Sequence, residues 1–341
     1  MNESIPTLPI GKLSPAFLSE LLAKYTTEDE TIIVGPKIGE DATVIDQGEF
    51  YLIAKTDPIT FVTDNIGYYA ITINANDIAC MGGIPRWFLV TILLPEALTT
   101  TEIVEKIFSQ LNAACKELDI LFCGGHTEVT YGINRPILVG QMLGVVEKNA
   151  LITSQNAQPG DDILLTKGIA IEATSIIARE KRELLSDIYS DDLVEKCKNF
   201  IHQPGISILQ DARLAIQVGG VHAMHDPTEG GLAMGLHELA MAAGVGLKIF
   251  EHEIPILPES KLLCDQYNID PLGAIASGAL LIVADQHYTN RIIEVFKENQ
   301  INSRNIGKVM TVEYGVKLIV NDREMDLPEY HQDEITKLFG A

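Results

Sequence analysis

The sequence is poor in positive charge. Its 341 residues set 25 Lys and Arg against 47 Asp and Glu, for a formal net charge of −22 and a pI of about 4.7. A surface so negative repels phosphate backbones and anionic lipid, which argues against nucleic acid or a membrane as partner. An anionic small molecule such as a nucleotide is compatible only where metal ions or helix N-termini offset the charge. Cysteine is scarce too. Cys80, Cys115, Cys123, Cys197 and Cys264 make an odd set without a CxxC pair. That speaks against both a disulfide framework and a structural zinc site. No apolar run approaches bilayer length; the longest, over 88–94 and 279–284, have the length of core strands. The opening MNESIPTLPIGK has neither a basic nor an apolar signal region, so a reduced, cytoplasmic protein is expected. Walker P-loop, GxGxxG, GxSxG and HExxH motifs are all missing, and the mechanisms they carry have no support.

What is present is an ordinary globular composition, 46% hydrophobic with 27 Gly and 15 Pro, long enough for two domains of about 100–200 residues each. Ser14 and Pro15 open a helix with Phe17, Leu18, Leu21, Leu22 and Tyr25 on one face. Strands are predicted over 31–34, 42–46 and 50–56, a helix over 65–81, and a strand over 87–94. A helix capped by Thr101 follows, then strands over 121–123 and 137–146 flanking a loop at 124–135. The stretch SQNAQPGDD interrupts the pattern and predicts a boundary, giving domains 1–157 and 158–341. In the second, strands over 163–166, 279–283 and 316–320 mix with helices around 171–181, 191–200, 207–218, up to 243, and 287–299. Both halves therefore read as α/β (α+β) domains.

Four features could carry chemistry. On the 65–81 helix, Ile66, Tyr69, Ala70, Ile73 and Cys80 share an apolar face, and Asp77 falls on it beside Asn76. A carboxylate there needs a partner: either a tertiary hydrogen bond near the helix end or a metal. Asp41, in the turn Gly39-Glu40-Asp41-Ala42, and Asp57, closing the 50–56 strand, sit at strand ends, where carboxylates converge on hard cations or merely meet solvent. Gly124 and Gly125 in Cys123-Gly124-Gly125-His126-Thr127-Glu128 form a turn that admits close backbone approach to a ligand, or simply a turn. Finally, Asp226-Pro227-Thr228-Glu229-Gly230-Gly231 opens a helix. Thr228 is the expected N-cap, and the glycines clear space for an anion above the helix end.

Taken in order, GEDATVI (39–45), KTDP (55–58), NANDIACMGGIP (74–85), FCGGHTEV (122–129), QPGDDILLTKG (158–168) and HDPTEGGLAMGLHELA (225–240) resemble the aminoimidazole-ribonucleotide synthetase (PurM-like) superfamily. That superfamily also holds selenophosphate synthetase, thiamine-monophosphate kinase and the carbamoyl dehydratase of hydrogenase maturation. The resemblance implies an N-terminal sheet domain that dimerises, a C-terminal α+β domain, and ATP with Mg²⁺ in a cleft at the dimer interface. It implies phosphorylation of a substrate heteroatom. By motif, Asp41, Asp77 and Asp226 would be Mg²⁺ ligands and Asp57 a nucleotide or second-metal residue. Gly124, Gly125, His126 and Thr127, with Gly230 and Gly231, would contact the nucleotide. Lys12, in Pro9-Ile10-Gly11-Lys12, resembles a lysine placed over the phosphates; Lys12 and His126 are the candidate catalytic residues.

The departures bear on the subfamily. No Cys precedes Cys80, where selenophosphate synthetase has a reactive Cys or selenocysteine, and the chain ends Lys337-Leu338-Phe339-Gly340-Ala341 without the dehydratase's terminal cysteine. Glu128 stands where the dehydratase has a lysine, yet DPTEGGLA is nearest to that subfamily. The expectation is a dehydratase-like, homodimeric ATP-dependent enzyme acting on a small-molecule or protein-borne substrate. Its rivals are a nucleotide-binding regulatory or assembly protein and a phosphotransferase of the selenophosphate synthetase or thiamine-monophosphate kinase kind.

Overall fold

Helix formation begins where the sequence offers a cap. The Ser14 hydroxyl accepts from the Phe17 amide at 3.4 Å, and Pro15 opens helix α1 (Pro15–Tyr25). The computed structural model describes Leu8 and residues 11–37, 39–60 and 62–340; Pro9 and Ile10 of the Lys12 segment lie outside the described residues. The first half continues with β1 (Ile32–Val34), β2 (Thr43–Asp46), β3 (Tyr51–Ile59), α2 (Ile66–Cys80), β4 (Ile84–Pro95), α3 (Thr101–Glu117), β5 (Leu121–Thr130) and β6 (Ile137–Val146). Its six strands run β1-β2-β3-β6-β4-β5, antiparallel except for the parallel pair β4/β5.

The second half holds β7 (Asp162–Thr166), α4 (Ile171–Glu180), α5 (Arg182–Ser186), α6 (Asp191–Lys198), α7 (Leu209–Val218), β8 (Val221–His225), α8 (Gly231–Ala243) and β9 (Gly246–Phe250). It ends with α9 (Pro258–Gln266), β10 (Leu281–Ala284), α10 (Thr289–Glu298), β11 (Ser303–Met310), β12 (Val316–Val320) and β13 (Arg323–Asp326). Its seven strands run β13-β12-β9-β11-β7-β10-β8. No helix among the described residues is long and apolar enough to cross a membrane.

Three expectations are corrected. Thr100, not Thr101, caps α3, its hydroxyl accepting from the Ile103 amide. Strand β3 runs past Asp57 to Ile59. This is possible because β2 pairs only with Tyr51–Ala54, so Pro58, which lacks an N–H, meets β6 alone. Residues 124–130 are strand, not loop. A side-chain carbon on Gly125, whose φ is +144°, would lie 1.9 Å from the Val90 carbonyl oxygen, so this glycine serves the close pairing of β5 with β4.

Helix α2 departs furthest from the single apolar face read from its spacing. Every residue from Ile66 to Cys80 is buried, because α2 packs on β3, β4 and β6, on α3, and on α7 and β8 of the second half. A helix without a solvent side must satisfy its polar groups internally. Asn76 does so across the two halves. Its Nδ2 donates to the Ile206 carbonyl at 2.9 Å, and its Oδ1 accepts from the Ile208 amide at 3.0 Å.

Replacing Asn76 by Ala should strand two buried backbone groups and cost about 2–4 kcal/mol of unfolding free energy. Urea titration of both proteins measures it; a loss of only a few tenths would show that the two halves do not depend on this side chain.

Candidate active site

Carboxylates gather where the two halves meet. Lys55 and Asp57 are two apart on β3 and so share the face toward α2. The Lys55 ammonium lies 3.1 Å from Asp77 Oδ1 and 3.9 Å from Asp57 Oδ2. Asp77 and Cys80 occupy the last turn of α2, and Asp41 lies in the turn before β2. From the second half, β8 ends in His225 and delivers Asp226 immediately after it. His225 Nδ1 stands 2.8 Å from Asp41 Oδ1, its Nε2 stands 3.2 Å from Glu238 Oε2 on α8, and the Cys80 thiol donates to Asp226 Oδ1 at 3.5 Å.

The electrostatics follow from burial. Desolvation pushes the Asp77 carboxyl well above the ordinary range; Lys55 pulls it back, and Asp226, Asp57 and Asp41 oppose that pull. Asp226 is pushed up to about 7, first by burial and then by the charge of Asp41. Burial works against the charges on Lys55 and His225, but their acidic neighbours outweigh it and raise both. For Glu238 burial is likewise outweighed, by the His225 hydrogen bond and by Lys12, and its pKa falls to about 2. Burial raises the Cys80 thiol well above its usual value, with Asp226 and Asp41 adding to the effect. The balance stays negative. Asp41 Oδ2, Asp77 Oδ2 and Asp226 Oδ2 are buried without any hydrogen-bond partner, and one ligand atom each of Asp41, Cys80 and Asp226 lies within 4.8 Å of the others. Orphaned carboxylate oxygens from three segments are a donor set suited to a hard divalent cation.

Beside this cluster a cleft of about 1380 Å³ opens between the halves, with Lys12, Asp57, Arg135, Glu229 and Tyr330 in its wall. Lys12 lies 3.4 Å from Glu229 and 3.9 Å from Glu238. Asp41, Asp57, Asp77, Asp226 and Lys12 are thus brought together. Gly124, Gly125, His126 and Thr127 are not: they lie on the exposed edge strand β5, where His126 Nε2 meets Glu128 at 3.1 Å, and none is in the described wall of the cleft. At α8 the N-cap is Gly230 in a left-handed conformation, not Thr228. The Gly230 amide donates to Asp333 Oδ2 at 2.7 Å, and the Gly231 amide donates to the Thr228 carbonyl.

Sequence reasoning missed Lys55, His225, Glu238, Asp333 and Glu172. Lys55 had a signal, its two-residue spacing from Asp57. Asp333, whose Oδ1 also accepts from the Ile275 and Ile335 amides, had none. Glu172, in the first turn of α4, is buried with Oε2 unpartnered. Burial pushes its carboxyl up to about 8, Glu229, Asp333 and Asp226 adding to the effect while the Ser277 hydroxyl beside it opposes.

Known proteins now enter. Residues 39–146 match the family model of the N-terminal domain of AIR synthase related proteins, and residues 158–319 that of the C-terminal domain. A Methanocaldococcus jannaschii protein named for hydrogenase expression and formation is 29% identical over 333 residues, 93% of this chain and 94% of its own. Carbamoyl dehydratase HypE of Cupriavidus necator is 27% identical over 260 residues, 74% of this chain and 70% of its own. A solved hydrogenase maturation protein HypE in complex with ATP superposes with a TM-score of 0.71 at 21% identity, over 96% of this chain and 97% of that one, a likeness of fold.

Glu172 gives a pH-dependent expectation. Its folded pKa lies above its unfolded one, so its contribution to stability is complete below about 4.5 and is lost as pH rises toward about 8. Glu172→Gln should match the parent near pH 5 and exceed it near pH 8 by on the order of 2–4 kcal/mol. Paired denaturant titrations across that window decide it; a difference flat in pH would refute the assignment.

Proposed function

The chain belongs to the AIR synthase related family, and on that premise we propose that it is an ATP-dependent enzyme that activates a heteroatom of a small-molecule or protein-borne substrate by phosphorylation. The observation that carries this reading is the set of orphaned carboxylate oxygens on Asp41, Asp77 and Asp226, joined through Lys55 to Asp57 in the wall of a cleft large enough for a nucleotide and an acceptor together. In this reading those three residues hold Mg²⁺, which supplies the positive charge that lets a polyphosphate approach so acidic a wall. Lys55 opposes the burial penalty on Asp77 and orients its carboxylate, and the His225 pairing fixes Asp41 with one oxygen free. Lys12 reaches over the cleft from the N-terminal segment, where its ammonium suits transferring phosphoryl oxygens.

The same reading includes a homodimer. On the side of the first sheet away from α2, Leu52, Leu89, Leu93, Val139, Leu143 and Val145 form a half-exposed apolar surface that belongs to none of the buried clusters. Strand β5 next to it is an edge exposed on both faces. A second copy laid on this sheet covers both, and gives His126 and its glycines a role toward a neighbouring cleft that they lack toward their own.

Two outcomes follow. ATP with Mg²⁺ at 100–1,000 times its Kd should stabilise the protein by about 3–4 kcal/mol in a thermal or denaturant assay, and Asp77→Asn should abolish that gain while the variant still unfolds cooperatively. An equal gain in parent and variant would refute the metal assignment. Light scattering at micromolar protein should give twice the 37.3 kDa chain mass; a monomer would overturn the dimer.

A further inference from the structure

Beyond the acidic cluster, the wall of the cleft continues into a recess of about 30 Å³, and Asp57, Thr60 and Glu229 border both spaces. The wall of the recess is apolar in part, along Ile59, Val62, Ile73 and Ile275, and its polar side chains among the described residues offer oxygen only, from Asp57, Glu172, Glu229, Thr60, Thr228 and Ser277. From outside that wall Lys55 approaches Asp57 at 3.9 Å, and Lys12 approaches Glu229 at 3.4 Å and Thr228 at 3.5 Å. Two of these groups stand unsatisfied. Glu172 Oε2 and Ser277 Oγ have no hydrogen-bond partner, although the two residues are only 5% and 1% exposed.

Resting on the reading that the cleft holds the acceptor of an ATP-dependent enzyme, we propose that this recess takes the ammonium group of an amine-bearing substrate. The volume admits one or two heavy atoms, so it receives one end of a ligand whose body lies in the main cleft. An ammonium has three donors and no acceptor, the complement of a wall of carboxylate and hydroxyl oxygens. A carboxylate or phosphate end finds no cationic side chain in that wall among the described residues. Burial keeps a proton on Glu172 while the recess is empty, and the ammonium replaces the charge of that proton without leaving an unpaired ion. The substrate class is therefore a primary amine carrying the phosphoryl-accepting heteroatom elsewhere in the molecule.

The test uses methylammonium as probe, with tetramethylammonium as an equally charged ion too bulky to enter and methanol as an uncharged molecule of similar size. Each is titrated at fixed ionic strength, with thermal stability as the readout, against the parent, Glu172→Gln and Ser277→Ala. Methylammonium alone should stabilise the parent, and Glu172→Gln should weaken that response about tenfold or more, as for loss of a charged hydrogen bond. Stabilisation by ATP with Mg²⁺ should persist in Glu172→Gln. Ser277→Ala should weaken the methylammonium response to a smaller degree and keeps the test open if the Gln variant does not fold. Equal responses to the three probes, or a Glu172→Gln protein that binds methylammonium as the parent does, would overturn the proposal. Were ATP with Mg²⁺ to leave the parent unchanged while methylammonium still acted through Glu172, the enzymatic reading would fall and the amine recess would stand.

Discussion

The Lys55–Asp77 ion pair is the interaction on which the rest of the site hangs. Helix α2 is enclosed by its own sheet on one side and by the second half of the chain on the other, so a carboxylate in its last turn has no route to water. A single buried carboxylate among apolar neighbours is prohibitively costly, and the alternative to pairing is to carry a proton. Lys55 supplies the partner from β3, while its neighbour two residues on, Asp57, lies in the wall of the cleft. The pair also helps fix how β3, α2 and the end of β8 sit together. That arrangement brings one ligand atom each of Asp41, Asp226 and Cys80 within 4.8 Å of one another.

The cluster is over-supplied with negative charge, and this imbalance is where structure passes into chemistry. Lys55 and His225 are each shared among several acids, and three carboxylate oxygens have nothing at all. A protein selected only for stability would replace some of these acids with apolar residues of similar size. In the proposed function a cation that arrives with a ligand accounts for their joint presence. The overall charge of −22 points the same way, since a surface that repels free phosphates makes metal-complexed ones the admissible form.

Much of the fold was legible because its signals are local. The Ser14 cap, the apolar periodicity of α3 and α10, and strand β6, found over its expected residues, depend on neighbours within a few positions. What failed was tertiary. Gly124 and Gly125 look like a turn to any local rule; only the approach of the Val90 carbonyl explains them as strand. The sequence pattern ends the strand over 50–56 at Asp57 because the shortness of β2, which frees that side of β3, cannot be seen from within β3. Strands β8, β9, β11 and β13 went unread. In the candidate site, motif order singled out Asp41, Asp57, Asp77 and Asp226, which the fold brings together, and spacing alone found only the oddity of Asp77. Their partners Lys55 and His225 lie inside the same motifs, but their roles exist only once β3, α2 and β8 are side by side. Asp333 comes from a segment with no pattern at all.

One further consequence lies in the division of the cluster between the two halves. Asp41, Lys55, Asp57 and Asp77 come from one sheet domain, and His225, Asp226 and Glu238 from the other, with Asn76 joined to the backbone at Ile206 and Ile208 across the seam. Neither half holds a complete set of partners, so the two cannot be exchanged by recombination as independent modules. A half taken from a distant relative would bring acids without their matching bases, and would lose the backbone groups that Asn76 grips. Change in such a chain is least constrained at the outer strands, while at the seam a substitution in one half calls for a matching one in the other.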